Sequence, residues 1–395
     1  MTLLGNSNQQ HERTQPGRRG GRVRVVHILA ELGFSGGEVQ LAHLLKHLAT
    51  QGHQNRLLLQ PGAEFANAAR ECGVPVEEIK MRAGVDVHAV RAVRRVISRE
   101  RPDLVHFACS RAHKLGALAT MGVPGLARVV TRRMDYPPRL GPVSRWLYGS
   151  AVDRAVVVSD AVRAELMRVG VPATRIVRIY DGVDPNALRG EQAERAGALA
   201  RLGWPTDAKV VACAASLRPR KGQLHLVRAF KAVIDHEPKA RLLLAGEGSD
   251  REALQAEVRR CDLDERVQVP GRMARCDVLG AADVACIPSI REGLSVFSLE
   301  AMAVGVPVVA SAVGGLPESI ADGATGLLVP PAEPAELATA IRRLLADPDL
   351  RRRMGRAGEA RVRQGFTAAR MATRTEQLYG ELVVMRQGRS ARVGG

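Results

Sequence analysis

Aromatic side chains are scarce: six Phe, four Tyr and two Trp make up 3% of the chain. Surfaces that hold single-stranded nucleic acid stack bases on aromatic rings, so this scarcity argues against that function. The cysteines Cys72, Cys109, Cys213, Cys261, Cys276 and Cys286 form no C-x-x-C pair, and several lie in apolar runs such as "VACAAS" and "VACIPS". They read as small core residues of a reduced compartment, expected to be the cytoplasm. No metal-ligand spacing appears among them, and the histidines offer no H-x-x-x-H pair with a nearby acid. Long apolar runs are also missing. The longest, Ala301 to Leu316, is broken by Gly305, Pro307 and the Gly314–Gly315 pair, so no membrane-spanning helix is expected. Residues 1–21 lack the apolar centre of a secretory signal and read as a flexible basic tail. The only lysines are Lys46, Lys80, Lys114, Lys209, Lys221, Lys231 and Lys239, and arginine supplies most of a net charge of +17. Two readings of that charge stay open. One is attraction to an anionic membrane, nucleic acid or phosphorylated substrate; the other is a solvated, Arg-rich surface.

What is present is alternation. At 395 residues the chain exceeds what one core usually serves, so two domains are expected. "VRVVHILA" (23–30) is nearly all apolar, as a strand buried on both faces must be. The helical pattern of "EVQLAHLLKHLATQGH" follows it. "NRLLLQ" (55–60), "DLVHFA" (103–108), "ARVVT" (127–131), "RAVVVS" (154–159) and "RIVRIY" (175–180) continue the series, most with helical stretches between. After a polar segment at 187–203 the pattern restarts with "KVVACAAS" (209–216), "ARLLLAG" (240–246), "RVQVPG" (266–271), "DVACIPS" (283–289) and "PVVAS" (307–311). This is the α/β signature of two doubly wound parallel sheets. Ligands of such sheets bind beyond the carboxyl ends of the strands, and two facing sheets make a deep cleft.

The turns after these strands carry the chemistry. In "REGLSVFSLEAMAVGVPVVAS" (291–311), Glu292 and Glu300 stand eight positions apart in apolar sequence. A buried acid is costly without a partner. Eight residues are about 2.2 helical turns, so continued helical geometry would project both acids towards one side. A helix starting near Ser295 would offer unpaired N–H groups and a positive dipole end to a diphosphate, with Gly293 allowing close approach. A solvated helix face gives the same spacing. "SLRPRKGQ" (216–223) gathers Arg218, Arg220 and Lys221 where cations oppose the helix dipole, which an anionic ligand would explain. "LLAGEGSD" (243–250) and "FSGGEVQ" (34–40) are further Gly turns, and neither is a G-x-x-x-x-G-K-[ST] phosphate loop.

The ordered set "SGGE", "RPRKG", "AGEGSD", "VPGR", "ADVACIPSIREGLSVFSLEAMAVGVPVVAS", "GGLPE" and "GATGLLV" resembles the retaining glycosyltransferases of family 4, with the GT-B fold, over roughly residues 22–385. The 282–329 block looks like that family's E-x7-E element. The resemblance implies two Rossmann-like domains facing across a deep cleft. A flexible tail (1–21) precedes an acceptor domain (22–187) and a nucleotide-sugar donor domain (188–370), and a C-terminal helix within 371–395 returns to the first domain before a frayed end. It implies no cofactor and no required metal. It places Glu292 at the donor sugar, Glu300 on the ribose hydroxyls, and Lys221 with Arg218 or Arg220 on the leaving diphosphate. It places Gly36 and Gly37 over the donor phosphates, Gly246 and the turn of Gly271, Arg272 and Met273 beside the base, and Gly293, Leu294, Ser295 and Val296 at the donor through backbone.

The chain departs from the family pattern in three places. Ser216 stands where an Arg is usual. Asp181 replaces the usual Asn before "GVD". "TRRMDYP" replaces a segment with a His that touches the donor sugar, leaving Arg132, Arg133 and Asp135 as sugar or acceptor contacts. "SRR-x-D-[YF]-P" is similar to a subgroup linked to lipopolysaccharide-type glycans. His106 either reaches the cleft or is a strand residue with a structural partner. The expected partners are a nucleotide-sugar, a glycan or lipid-linked acceptor and, peripherally, an anionic membrane on its inner face, with no nucleic acid. Two alternatives stay open: an Arg-rich nucleic-acid or membrane-binding protein without catalysis, and a sugar epimerase on the same scaffold. The scarcity of lysine disfavours a phosphorylase with a pyridoxal lysine.

Overall fold

The computed structural model describes residues 21–82, 86–134, 138 and 141–393. Asp135 lies outside the described residues, as does nearly all of the expected basic tail. The first half carries β1 (Arg24–Ile28), β2 (Gln54–Leu59), β3 (Val76–Glu78), β4 (Leu104–Phe107), β5 (Ala127–Arg132), β6 (Arg154–Val157) and β7 (Ile176–Arg178). They form one sheet in the order β3-β2-β1-β4-β5-β6-β7. The second half carries β8 (Lys209–Ala214), β9 (Ala240–Ala245), β10 (Val267–Gly271), β11 (Val284–Ile287), β12 (Val308–Ser311) and β13 (Gly326–Val329), in the order β10-β9-β8-β11-β12-β13. The ladders of both sheets are parallel. Every residue of β4, β11 and β12 is buried, which is why those stretches read as unbroken apolar runs.

In each sheet the strand order reverses about one neighbouring pair, β1/β4 in the first and β8/β11 in the second. Connections leave to opposite faces there, opening a crevice beyond the strand ends. The turns after β8 and β11 are those that carry Lys221 and Glu292.

Several expectations change. β3 and β13 were not legible: β3 is "VEE", with little apolar content, and β13 is a four-residue run after Gly turns. The polar 187–203 segment between the halves is largely helical, within Pro185–Glu191 and Arg195–Arg201. Asp184 starts the first by accepting the N–H groups of Asn186 and Ala187. The C-terminal helix starts at Ala368, three residues before the expected 371, and runs to Val393 through the stretch expected to fray.

That helix belongs to the first half. Met371, Leu378, Tyr379 and Leu382 are buried in one cluster with Leu41, Leu44, Leu45 and Leu48 of the Gly36–Thr50 helix. Glu376 meets His47 Nε2 at 2.7 Å and His53 Nε2 at 3.0 Å. The N–H of Val23 donates to His53 Nδ1, so the His53 proton lies on Nε2 and points at the carboxylate. The chain therefore crosses between the halves twice, side by side. Val183 N–H donates to the Phe366 carbonyl at 3.0 Å, and Ala368 N–H to the Val183 carbonyl at 2.8 Å. No helix among the described residues is long and apolar enough to cross a membrane.

Candidate active site

The turn after β8 and the loop after β11 are joined through backbone: the N–H groups of Ile290 and Arg291 both donate to the Arg220 carbonyl. The joint sets Lys221 Nζ 2.5 Å from Glu292 Oε2, and Ser289 Oγ donates to the same oxygen at 3.1 Å. Glu292 is 6% exposed. A buried carboxylate with one ammonium and one hydroxyl is satisfied, and it keeps the ammonium in the crevice beside it.

The Val296–Ala303 helix starts immediately beyond. Ser295 caps it, accepting the Ser298 N–H at 3.2 Å. Glu292 sits four residues before this helix, so helical period does not put the two acids on one side. They are fixed by different partners. Glu300, on the helix and 7% exposed, has Arg275 Nε 2.9 Å from Oε2. The approach is off line for a hydrogen bond, and Oε2 has no donor among the described residues. Burial pushes the Glu300 carboxyl above its ordinary range, against the pull of Arg275. A buried carboxylate oxygen without a donor is suited to accept one from a ligand.

The first half closes over this helix end. A Cβ on Gly36 would lie 3.1 Å from Val296 Cγ2. Gly293 faces the Arg133 carbonyl so closely that a Cβ would lie 2.0 Å from that oxygen, so this approach admits only glycine. Arg133 Nε donates to Asp181 at 3.1 Å and 3.3 Å. Burial pushes Asp181 up, and the Arg133 guanidinium pulls it down. The two unusual residues thus answer one another. Arg272 crosses the opening, 2.6 Å from Glu64 and 3.3 Å from Glu247, with 55% of its side chain exposed. Gly246 N–H donates to the Gly271 carbonyl at 2.7 Å, fixing the two Gly turns side by side next to the half-buried Met273.

Arg132, one proposed sugar contact, lies elsewhere, and of the two readings of His106 the structure shows the structural partner. Arg132 is buried inside the first half, donating to the Tyr148 hydroxyl at 2.8 Å and lying over its ring. His106 is buried in β4, 3.2 Å from His27 Nδ1 and 2.8 Å from Thr131 Oγ1. Burial holds both imidazoles below the ordinary range, His27 at about 4. Strands buried on both faces carry no alternation to separate inward from cleft-facing residues, so sequence could not sort them. Arg218 is exposed and Arg220 half-buried; neither guanidinium has a partner among the described residues. Ser216 is exposed, and its carbonyl accepts from Gln223 Nε2 at 3.1 Å. Sequence reasoning missed Ser289 and Arg275. The signal for Arg275 was available: it opens the Arg275–Ala281 helix, where a cation opposes the dipole.

Two parallel-sheet halves closing on a crevice lined by paired carboxylates and cations define the GT-B class of protein. Residues 34–187 match the family described as Glycosyltransferase Family 4, and residues 197–361 match Glycosyl transferases group 1. The D-inositol 3-phosphate glycosyltransferase of Kineococcus radiotolerans is 37% identical over 265 residues, which cover 62% of this chain and 60% of that protein. The protein of that name from Saccharomonospora viridis is 32% identical over 316 residues, covering 74% and 73%. The crystal structure of Anabaena HepE in complex with UDP and glucose aligns with a TM-score of 0.81 at 22% identity, covering 91% of this chain and all of that one, a likeness of fold. The chain belongs to the family 4 glycosyltransferases.

Proposed function

We propose that the protein is a retaining glycosyltransferase moving a sugar from a nucleoside-diphosphate donor to a glycan or lipid-linked acceptor in cell-envelope polysaccharide synthesis. The observation that carries this is the buried Lys221–Glu292 pair at the crevice of the second sheet, beside the open N-terminus of the Val296–Ala303 helix. In this reading the diphosphate lies against that helix end, and Glu300 takes the ribose hydroxyls. Departure of the glycosyl group builds negative charge on the phosphate. Lys221, with Arg218 or Arg220, neutralises it as it forms, the form of catalysis that depends on fixed charges already in place. Glu292 contacts the donor sugar near the reacting carbon.

The relatives' names, built on inositol 3-phosphate, support an acceptor that carries a phosphate. The Val87–Glu100 helix supports contact with an anionic membrane: it carries exposed Arg91, Arg94, Arg95 and Arg99 with exposed Val87. A thermal-shift screen over UDP-, GDP-, ADP- and dTDP-sugars tests the donor reading, because a ligand that binds only the native state raises the melting temperature. No shift with any of the four would reject it.

A further inference from the structure

Glu318 sits on the short Leu316–Ser319 helix of the second half. Among the described residues, each hydrogen bond that its carboxylate accepts comes from the first half. Oε2 accepts the Asp160 N–H at 2.9 Å and the Tyr180 hydroxyl at 3.0 Å, and Oε1 accepts the Ala161 N–H at 3.1 Å. Asp160 and Ala161 open the nine-residue Asp160–Arg168 helix, whose first N–H groups have no intrahelical acceptor. A carboxylate from the opposite half fills that end, where the dipole favours an anion. The Tyr180 hydroxyl is pushed up to about 12 by burial and by its bond to Glu318, so it remains a donor at neutral pH. Arg178 Nη1 lies 3.9 Å from Glu318 and is paired with Asp160.

The segment just before Glu318 touches the candidate catalytic loop. Gly314, at φ 55°, faces the Glu292 carbonyl so closely that a Cβ would lie 1.6 Å from that oxygen. Gly315 N–H donates to the same carbonyl at 3.3 Å, and Gly315 also lies against Ser159 of the first half. Behind, Arg361 donates to the carbonyls of Glu318 and Ser319 at 2.9 Å and 2.6 Å. Its guanidinium lies over Phe366, which meets Tyr180 at the crossing between the halves. One short rigid piece therefore joins the opposing half, the crossing and the backbone of Glu292.

We propose that Glu318 is a positioning residue, and that its cap across the cleft makes the placement of Glu292 depend on closure of the two halves. This rests on the reading of Glu292 as the carboxylate at the donor sugar. Small-angle scattering of the ligand-free full chain tests the latch without any appeal to catalysis: Glu318→Ala has a larger radius of gyration than wild type, and Glu318→Gln, which keeps one acceptor, falls between. Release of nucleoside diphosphate from the donor found in the thermal-shift screen tests the positioning. Here Glu318→Ala lowers kcat on the order of 100-fold at unchanged donor KM, as expected for a misplaced reacting group. Tyr180→Phe keeps the ring and loses one of three donors, so it gives a smaller fall in kcat and serves if Glu318→Ala does not fold. Wild-type scattering with wild-type kcat, or a lowered melting temperature alone, overturns the proposal. If wild type turns over none of the four donors, the transfer reading fails and the positioning role with it, while scattering still decides the latch.

Discussion

Lys221 Nζ and Glu292 Oε2 lie 2.5 Å apart although 71 positions separate them in sequence. Removing one member of a buried pair leaves the other charged without compensation, at a cost of about 3–5 kcal/mol. Glu292→Ala is therefore expected to lower stability by about that amount by urea melting. Glu292→Gln, which keeps the volume and an acceptor for Ser289, loses less. Both are expected to abolish release of nucleoside diphosphate from the donor; full turnover in either would remove Glu292 from the site.

Glu300 predicts a pH dependence of nucleotide binding. Its carboxyl is raised by burial, so the ionised form, the better acceptor for ribose hydroxyls, is lost on acidification sooner than in a free Glu. Affinity for UDP, followed by calorimetry from neutral to weakly acidic pH, should fall as pH drops through that raised value. In Arg275→Ala the fall moves to higher pH, because the opposing charge is gone. Glu300→Gln should weaken binding by about 1.5–3 kcal/mol at neutral pH and flatten this dependence.

The Arg133–Asp181 pair predicts non-additivity. Each change alone, Arg133→His or Asp181→Asn, strands a partner; together they restore the family's usual residues. The double-mutant cycle in melting free energy should show coupling of about 0.5–3 kcal/mol, with the double variant more stable than the sum of the singles implies. Strict additivity would mean that the pair contributes nothing.

Much of this was legible, and the reason is local. A strand buried on both faces, a Gly-bearing turn and an amphipathic helix are written within about 30 consecutive residues, so the two sheets and the positions of Lys221 and Glu292 after β8 and β11 could be read directly. What was lost is non-local. Arg275 beside Glu300, Asp181 beside Arg133 and Glu318 on the Asp160–Arg168 helix are set by how turns from distant strands meet, which periodicity does not encode. Arg132 was misplaced for a related reason, and His106 took the structural-partner reading. Proximity in sequence to a strand end put Arg132 among the sugar contacts, but its side chain turns to Tyr148 inside the first half, while His106 meets His27 there.

Glu376 predicts a change of stability with acid. Burial raises its carboxyl, but the bonds from His53 and His47 outweigh this and hold it below the ordinary carboxylate range. A depressed carboxyl stabilises above its unfolded value, near 4.3, and the contribution is lost as pH falls through the folded one. Wild type should melt higher than Glu376→Gln at neutral pH, and the gap should close under strongly acid conditions. A constant gap would show that the carboxylate's charge is irrelevant to how the last helix is held.

That last helix has a consequence for how the chain is made. The residues completing the wall of the first half, from Met371 to Leu382, leave the ribosome after the whole second half has been synthesised. Until then Leu41, Leu44 and their neighbours lack their cover, so the nascent first half waits unfinished while its partner folds. A gene cut after residue 187 would encode a fragment with an open apolar flank. Joining residues 368–393 to it by a tether is the way to obtain that half as a free-standing unit.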